Sequence, residues 1–236
     1  MSIMNTKSKQ VFETISKDRT RTNVLRKYEQ QALVYLVQRI PASINSNCLT
    51  LIGFCGTLIT VSGFILAAYV NRYFLLVGIL GFAVNWFGDS LDGRLAYYRN
   101  QPRKWYGFSL DLTTDWITTI LIGSGFFIYA EGLWKILGCL FVVMYGWEMI
   151  TALLRYKVTD KYTIDNGLLG PTEVRVVISA ILLAEVIFKG TIVYCALFAC
   201  VVLLIANIVD TRKLLSLAND RDVTEKKKKL EEEQHA

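Results

Sequence analysis

The sequence predicts an all-α integral membrane protein, a bundle of six transmembrane helices preceded by an amphipathic helix at the membrane interface. Three observations carry this. Of the 236 residues 53% are hydrophobic and only three are proline, and the mean hydropathy is +0.37, which is apolar for a soluble chain. Six apolar runs, 47–70, 73–97, 107–130, 133–155, 171–189 and 191–211, approach the roughly 20 residues a helix needs to cross the hydrocarbon core. Most of the 26 Lys and Arg residues fall in the two tails and in alternate links, while the opposite turns hold only Arg72, Lys135 and Lys189. That asymmetry is the positive-inside pattern.

Taken in order, residues 1–42 read as a cytosolic segment, because the first 40 residues are too polar to contain the apolar core of a signal peptide. Within it, LRKYEQQALVYLVQRIP sets Leu25, Tyr28, Ala32, Leu36 and Ile40 at steps of three and four and ends at Pro41. This is the spacing of an interfacial amphipathic helix, although Val34 and Tyr35 fall off the stripe. The competing reading is a helix packed on the protein itself. Residues 43–212 form the expected membrane domain. Its fifth run is interrupted by Glu173, Arg175 and Glu185, and Pro171 with Glu173 supplies good helix-entry chemistry.

Residues 213–236 read as a charged, solvated tail in which Lys227 and Glu231, Lys228 and Glu232, and Lys229 and Glu233 are i,i+4 pairs. Both termini and the active site are expected to face the cytosol. The net charge of +6 then reflects topology and contact with anionic headgroups, and no nucleic-acid partner is expected. Cys48, Cys55, Cys139, Cys195 and Cys200 lie in or beside apolar runs without CxxC spacing, so buried thiols are expected rather than disulfides or zinc ligands. The single histidine, His235, argues against histidine catalysis or a His-ligated metal.

The chemistry concentrates in GDSLDGRLAYYRNQPRKWYGFSLDLTTDW, residues 88–116. Asp89, Asp92, Gly93 and Ala96 share one face of the second run, and Gly107, Asp111 and Asp115 step by four along the third. The short basic link RNQPRKWY makes the two helices antiparallel neighbours, so the acidic faces meet about 10 to 15 Å below the interface at 1.5 Å per residue. A carboxylate at mid-membrane costs on the order of 2.5 to 3.5 kcal/mol on insertion scales, and four together repel one another unless cations or protons intervene. Oxygen ligands without Cys or His suit Mg2+, Mn2+ or Ca2+. Gly93, Ala96 and Gly107 leave room for a bulky phosphate-bearing ligand, or else serve close helix packing.

The order Asp89, Asp92-Gly93, Ala96, Gly107, Asp111, Asp115 resembles the signature of the CDP-alcohol phosphotransferase (CDP-alcohol phosphatidyltransferase) family, DxxDGxxAR followed by GxxxDxxxD. IPASINSNCLTLIGF is similar to the segment that opens the family's first membrane helix, and the likeness spans roughly residues 24 to 212. One position departs: Tyr97 stands where the family has Arg after the motif alanine, with Arg94 and Arg99 nearby. The resemblance implies an enzyme of phospholipid biosynthesis that moves a phospho-alcohol, here a phosphatidyl group, from a CDP-linked donor such as CDP-diacylglycerol to an acceptor hydroxyl, releasing CMP. It implies Asp89, Asp92, Asp111 and Asp115 as ligands of Mg2+ or Mn2+, with Asp115 also the catalytic base.

By the same resemblance Gly93, Ala96, Gly107, Asn47 and Thr50 lie on the nucleotide side; Asn47 and Thr50 also suit helix caps. Arg155 and Arg175 are the cations expected on the acceptor side, and anchoring to the cytosolic interface is the alternative for Arg155. A homodimer in contact with membrane lipid is implied too. Choline- or ethanolamine-type chemistry, with the CDP-alcohol donating to a lipid alcohol, uses the same signature. A divalent-cation transporter is the rival of another class, and a scaffold that keeps the fold without activity is a third, which retention of all four aspartates opposes.

Overall fold

The computed structural model describes residues 26–159 and 171–235, apart from the side chains at 26, 27, 228, 229, 234 and 235. Among the described residues the regular structure is helical: α1 (Arg26–Val37), α2 (Ser46–Tyr69), α3 (Leu75–Tyr98), α4 (Lys104–Tyr129), α5 (Ile136–Thr159), α6 (Pro171–Ile187) and α7 (Thr191–His235). Short 3-10 turns at Arg72–Phe74 and Gly132–Lys135 join α2 to α3 and α4 to α5. Among the described residues four stretches are long and apolar enough to cross a membrane: Ser46–Tyr69, Arg72–Tyr98, Gly132–Thr159 and Thr191–Glu233. Large apolar side chains such as Leu80, Val143 and Phe198 point outward and exposed, as they do in an integral membrane protein, whose surroundings are hydrocarbon rather than water.

Glycine sets how closely α2 and α3 pack. A Cβ built on Gly63 would lie 2.6 Å from the backbone nitrogen of Gly78, and one on Gly53 3.1 Å from that of Asp89. Cβ atoms on Gly56 and Gly88 would collide with the backbone of Asn85 and of Gly53. These helices touch backbone to backbone, as small residues permit between membrane helices. Thr60 Oγ1 bridges them, donating to Gly56 O and in reach of Gly78 O at 3.2 Å. The antiparallel pair is thereby locked in register, which fixes the height of Asp89.

The end of α3 turns the chain back toward α4. Asn100 adopts φ 55, the left-handed conformation that Asn tolerates better than most residues. Gln101 N donates to Ala96 O at 2.8 Å and Asn100 N to Tyr97 O at 3.0 Å, the paired bonds of a Schellman motif, with Pro102 just beyond. This compact stop sends α4 back antiparallel to α3, but α4 packs along α2 rather than along α3, so the direct α3–α4 packing expected from the short link is replaced by packing through α2.

Three expectations change in detail. Helix α1 exists, but its inner face is Glu29, Leu33, Val34 and Val37, while Tyr28 and Tyr35 are exposed. Leu33 and Val37 pack with Leu49, Leu91 and Leu95, and Leu36 and Ile40 of the expected stripe join only at the margin of that cluster. Arg94 on α3, 3.8 Å from Glu29, turns the helix inward. Leu25 lies outside the described residues. Helix α7 runs unbroken through residue 212, and Arg221 ties its extension to the end of α5 by donating to the carbonyls of Lys157 and Val158. Of the cysteines only Cys200 is buried; Cys48, Cys55 and Cys139 are exposed, since an apolar thiol suits an outward helix face as well as a core.

Glu185, one of the two acids that interrupt the fifth run, is 2% exposed. Its carboxylate accepts from Tyr129 Oη at 2.8 Å, Gly190 N at 3.0 Å and Ile192 N at 2.9 Å. It therefore satisfies amides at the start of α7 that would otherwise be orphaned in an apolar setting, and it pins α6 to the end of α4.

Candidate active site

The cleft lies between α2, α3 and α4. Thr50, Gly53, Phe54, Asn85 and Asp89 line it together with Asp111, Thr114, Asp115 and Thr118. From α3 comes Asp89, and from successive turns of α4 come Asp111 and Asp115. One carboxylate oxygen from each lies within 4.8 Å of the others. Three hard oxygens from two helices at that separation are a donor set for a divalent cation such as Mg2+, Mn2+ or Ca2+.

Asp92, one turn along α3 from Asp89, accepts from Thr50 Oγ1 at 2.7 Å and from the adjacent Gly93 amide. Thr50 thus faces the acidic helix and is not a cap. The cap of α2 is Asn45, whose side chain accepts from Cys48 N at 2.9 Å. Asn47 is exposed and accepts from Arg103, whose guanidinium lies 4.3 Å above the Tyr106 ring. Gly93 and Ala96 are half-buried, whereas Gly107 is exposed and a Cβ there would meet nothing within 4 Å.

The two cations expected on the acceptor side part company. Arg175, on α6, donates from Nη2 to Asp89 Oδ2 at 2.6 Å and from Nε to Asn85 Oδ1 at 2.8 Å. Arg155, on α5, stands 3.5 Å from Asp210 Oδ2 on α7. Glu173, in the first turn of α6, is buried, so of the pair near the helix entry it is Arg175 that touches the acidic group.

Asn85 was not singled out by sequence reasoning. Its amide nitrogen donates to Gly53 O at 3.1 Å and Thr57 Oγ1 at 3.2 Å, and Thr57 in turn meets Thr118 at 3.1 Å. A signal was present: an amide in an apolar run, four residues before Asp89 and so on the same helix face.

Neither arginine beside Tyr97 reaches toward the cleft. Arg94 is 6% exposed, donates to Ser90 O and faces Glu29. Arg99 donates to the carbonyls of Ile40, Pro41 and Ile44, fastening the α1–α2 link.

No curated protein matches the sequence. The profile of the CDP-alcohol phosphatidyltransferase family matches residues 44–210, a span that holds the cleft and each of its aspartates. Members of that family are typically dependent on divalent metal, which the donor set of Asp89, Asp111 and Asp115 fits. The chain therefore belongs to the CDP-alcohol phosphatidyltransferase family, membrane transferases that pass a substituted phosphate group from a CDP-alcohol to a hydroxyl acceptor.

Proposed function

We propose that the protein transfers the phosphatidyl group of CDP-diacylglycerol to the hydroxyl of a small alcohol or alcohol phosphate, with release of CMP. The observation that carries this reading is the meeting of Asp89, Asp111 and Asp115 from two antiparallel helices within the family-matched region. Asp89, Asp92 and Asp111 would hold Mg2+, with Asp115 completing the set. When bound, the ion supplies positive charge against the donor pyrophosphate and the departing CMP phosphate.

Asp115 takes the proton from the acceptor hydroxyl as that oxygen attacks the lipid-linked phosphorus, and the bond from phosphorus to the CMP oxygen breaks. Thr50 holds Asp92 in place. Gly93, Ala96 and Gly107 leave space for cytidine and ribose, and Asn47 stands at the mouth of that side. Arg175 is the cation on the acceptor side, adjoining the carboxylates; Arg155, held by Asp210, braces α5 against α7.

In this reading α4 and α6 also cross the bilayer, giving six spans within a membrane domain of residues 43–212. Both termini and the cleft face the cytosol, α1 lies at the interface, and the enzyme works as a homodimer. The positive-inside distribution of Lys and Arg supports the orientation.

The test is a donor-by-acceptor screen with purified protein, Mg2+ and labelled CDP-diacylglycerol, CDP-choline or CDP-ethanolamine. CMP should appear mole for mole with a labelled lipid from CDP-diacylglycerol, and chelation should abolish it. No CMP from any pair, together with divalent-cation flux in liposomes, would place the chain among ion pathways instead.

A further inference from the structure

Asn85 is 6% exposed and its amide has no freedom of orientation. The nitrogen faces two acceptors, Gly53 O and Thr57 Oγ1, so the oxygen must turn toward α6, where it receives Arg175 Nε at 2.8 Å. The guanidinium is planar and its donors form a rigid fork. Fixing Nε therefore fixes where Nη2 points, and it points at Asp89 Oδ2, 2.6 Å away. A chain of bonds runs from the backbone of α2 through Asn85 on α3 and Arg175 on α6 to a carboxylate of the acidic cluster.

We infer that Asn85 is a positioning residue of the active site, one that holds Arg175 against Asp89 and so sets how strongly the acidic cluster binds a divalent ion. This rests on the metal-site reading above. Carboxylates that crowd within 4.8 Å attract a divalent cation in proportion to their uncompensated charge. A guanidinium hydrogen-bonded to one of them offsets part of that charge and repels an incoming cation. It also occupies one of the two oxygens of Asp89. Asn85 acts through Arg175 and never touches the ion itself.

The experiment is a double-mutant cycle read by Mn2+ affinity, measured by electron paramagnetic resonance on the full chain in nanodiscs without substrate, so that turnover plays no part. Arg175→Gln should bind Mn2+ about tenfold or more tighter than wild type. Asn85→Ala should tighten binding by a smaller factor, because the cation is loosened rather than removed. In the Arg175→Gln background Asn85→Ala should change nothing further.

An equal shift from Asn85→Ala in both backgrounds, or none in either, would overturn the proposal, since the residue would then act only through helix packing. Arg175→Gln keeps the cycle informative if Asn85→Ala folds poorly, because unchanged Mn2+ affinity in that variant alone refutes the counter-charge role. Asp111→Asn serves as reference. If it leaves Mn2+ affinity at the wild-type value, the metal site is refuted, and this failure is distinct from a failed cycle around a working site.

Discussion

Gly107 separates the demands of the ligand from those of the fold. It sits in the first turns of α4, one turn before Asp111, and a methyl group added there would meet no protein atom within 4 Å. Within the chain, Gly107→Ala therefore brings only the helix-propensity gain of up to about 1 kcal/mol. If cytidine or ribose occupies that space, the methyl presses on the ligand, and overpacking of this kind costs about 1–3 kcal/mol. That converts to a loss of about fivefold to 150-fold in kcat/KM. The assay pairs CMP release with thermal unfolding in detergent, and the expected signs are opposite: a melting midpoint unchanged or raised, and activity lowered. Gly56→Ala supplies the contrast, since its Cβ would sit 2.8 Å from Asn85 Cα and should lower stability first. Full activity in Gly107→Ala would refute the idea that the nucleotide uses this face of α4.

Further outcomes follow from the same geometry. Asp115→Asn should keep CDP-donor binding, measured calorimetrically, while losing nearly all turnover; near-wild-type turnover would assign the base elsewhere. Asp89→Asn and Asp111→Asn should shift the Mg2+ activation curve to higher concentration, and an unmoved curve in both would remove them from the ligand set. Glu185→Ala leaves Tyr129 Oη and the amides of Gly190 and Ile192 without their shared acceptor. At about 1–3 kcal/mol for each group left unsatisfied, it should lower the melting midpoint sharply, while Tyr129→Phe, which removes one partner, should cost less. Tyr97→Arg should alter the ratio of kcat/KM values across CDP-linked donors, and an unaltered ratio would show that position 97 does not choose the donor.

What was legible in the sequence was what short-range rules control. The apolar runs mark helices α2 to α6 to within a few residues, with Pro41 and Pro171 at two of the borders. The three- and four-residue steps placed Asp89, Asp111 and Asp115 on faces that do meet. What escaped depends on partners far along the chain. The stripe through Tyr28 and Leu36 was the better apolar pattern for α1, but a buried Glu29 becomes affordable only beside Arg94 of another helix. Glu185 interrupts an apolar run in the sequence and closes the end of α6 in the fold, because its acceptors are used by amides past the end of its own helix. Arg175 was named for an acceptor and Asn85 not at all, yet their bond joins α6 to the acidic helix.

The departure at Tyr97 gains meaning from its two neighbours. An arginine moved by a few positions can take over a lost contact, and Arg94 and Arg99 stand close enough in sequence to invite that reading. Each is committed to scaffolding. Arg94 is buried against Glu29, and withdrawing it would take a cation away from a buried carboxylate. Arg99 holds three carbonyls of the α1–α2 link, and the turn that follows it spends the Ala96 and Tyr97 carbonyls on ending α3. The segment after the motif alanine is therefore built as a brace, held by Arg94, Arg99 and the turn that ends α3. The acidic cluster and its Arg175–Asn85 support lie on the other side of this division of labour. Altering position 97 should accordingly change which donor is preferred before it changes whether metal is bound.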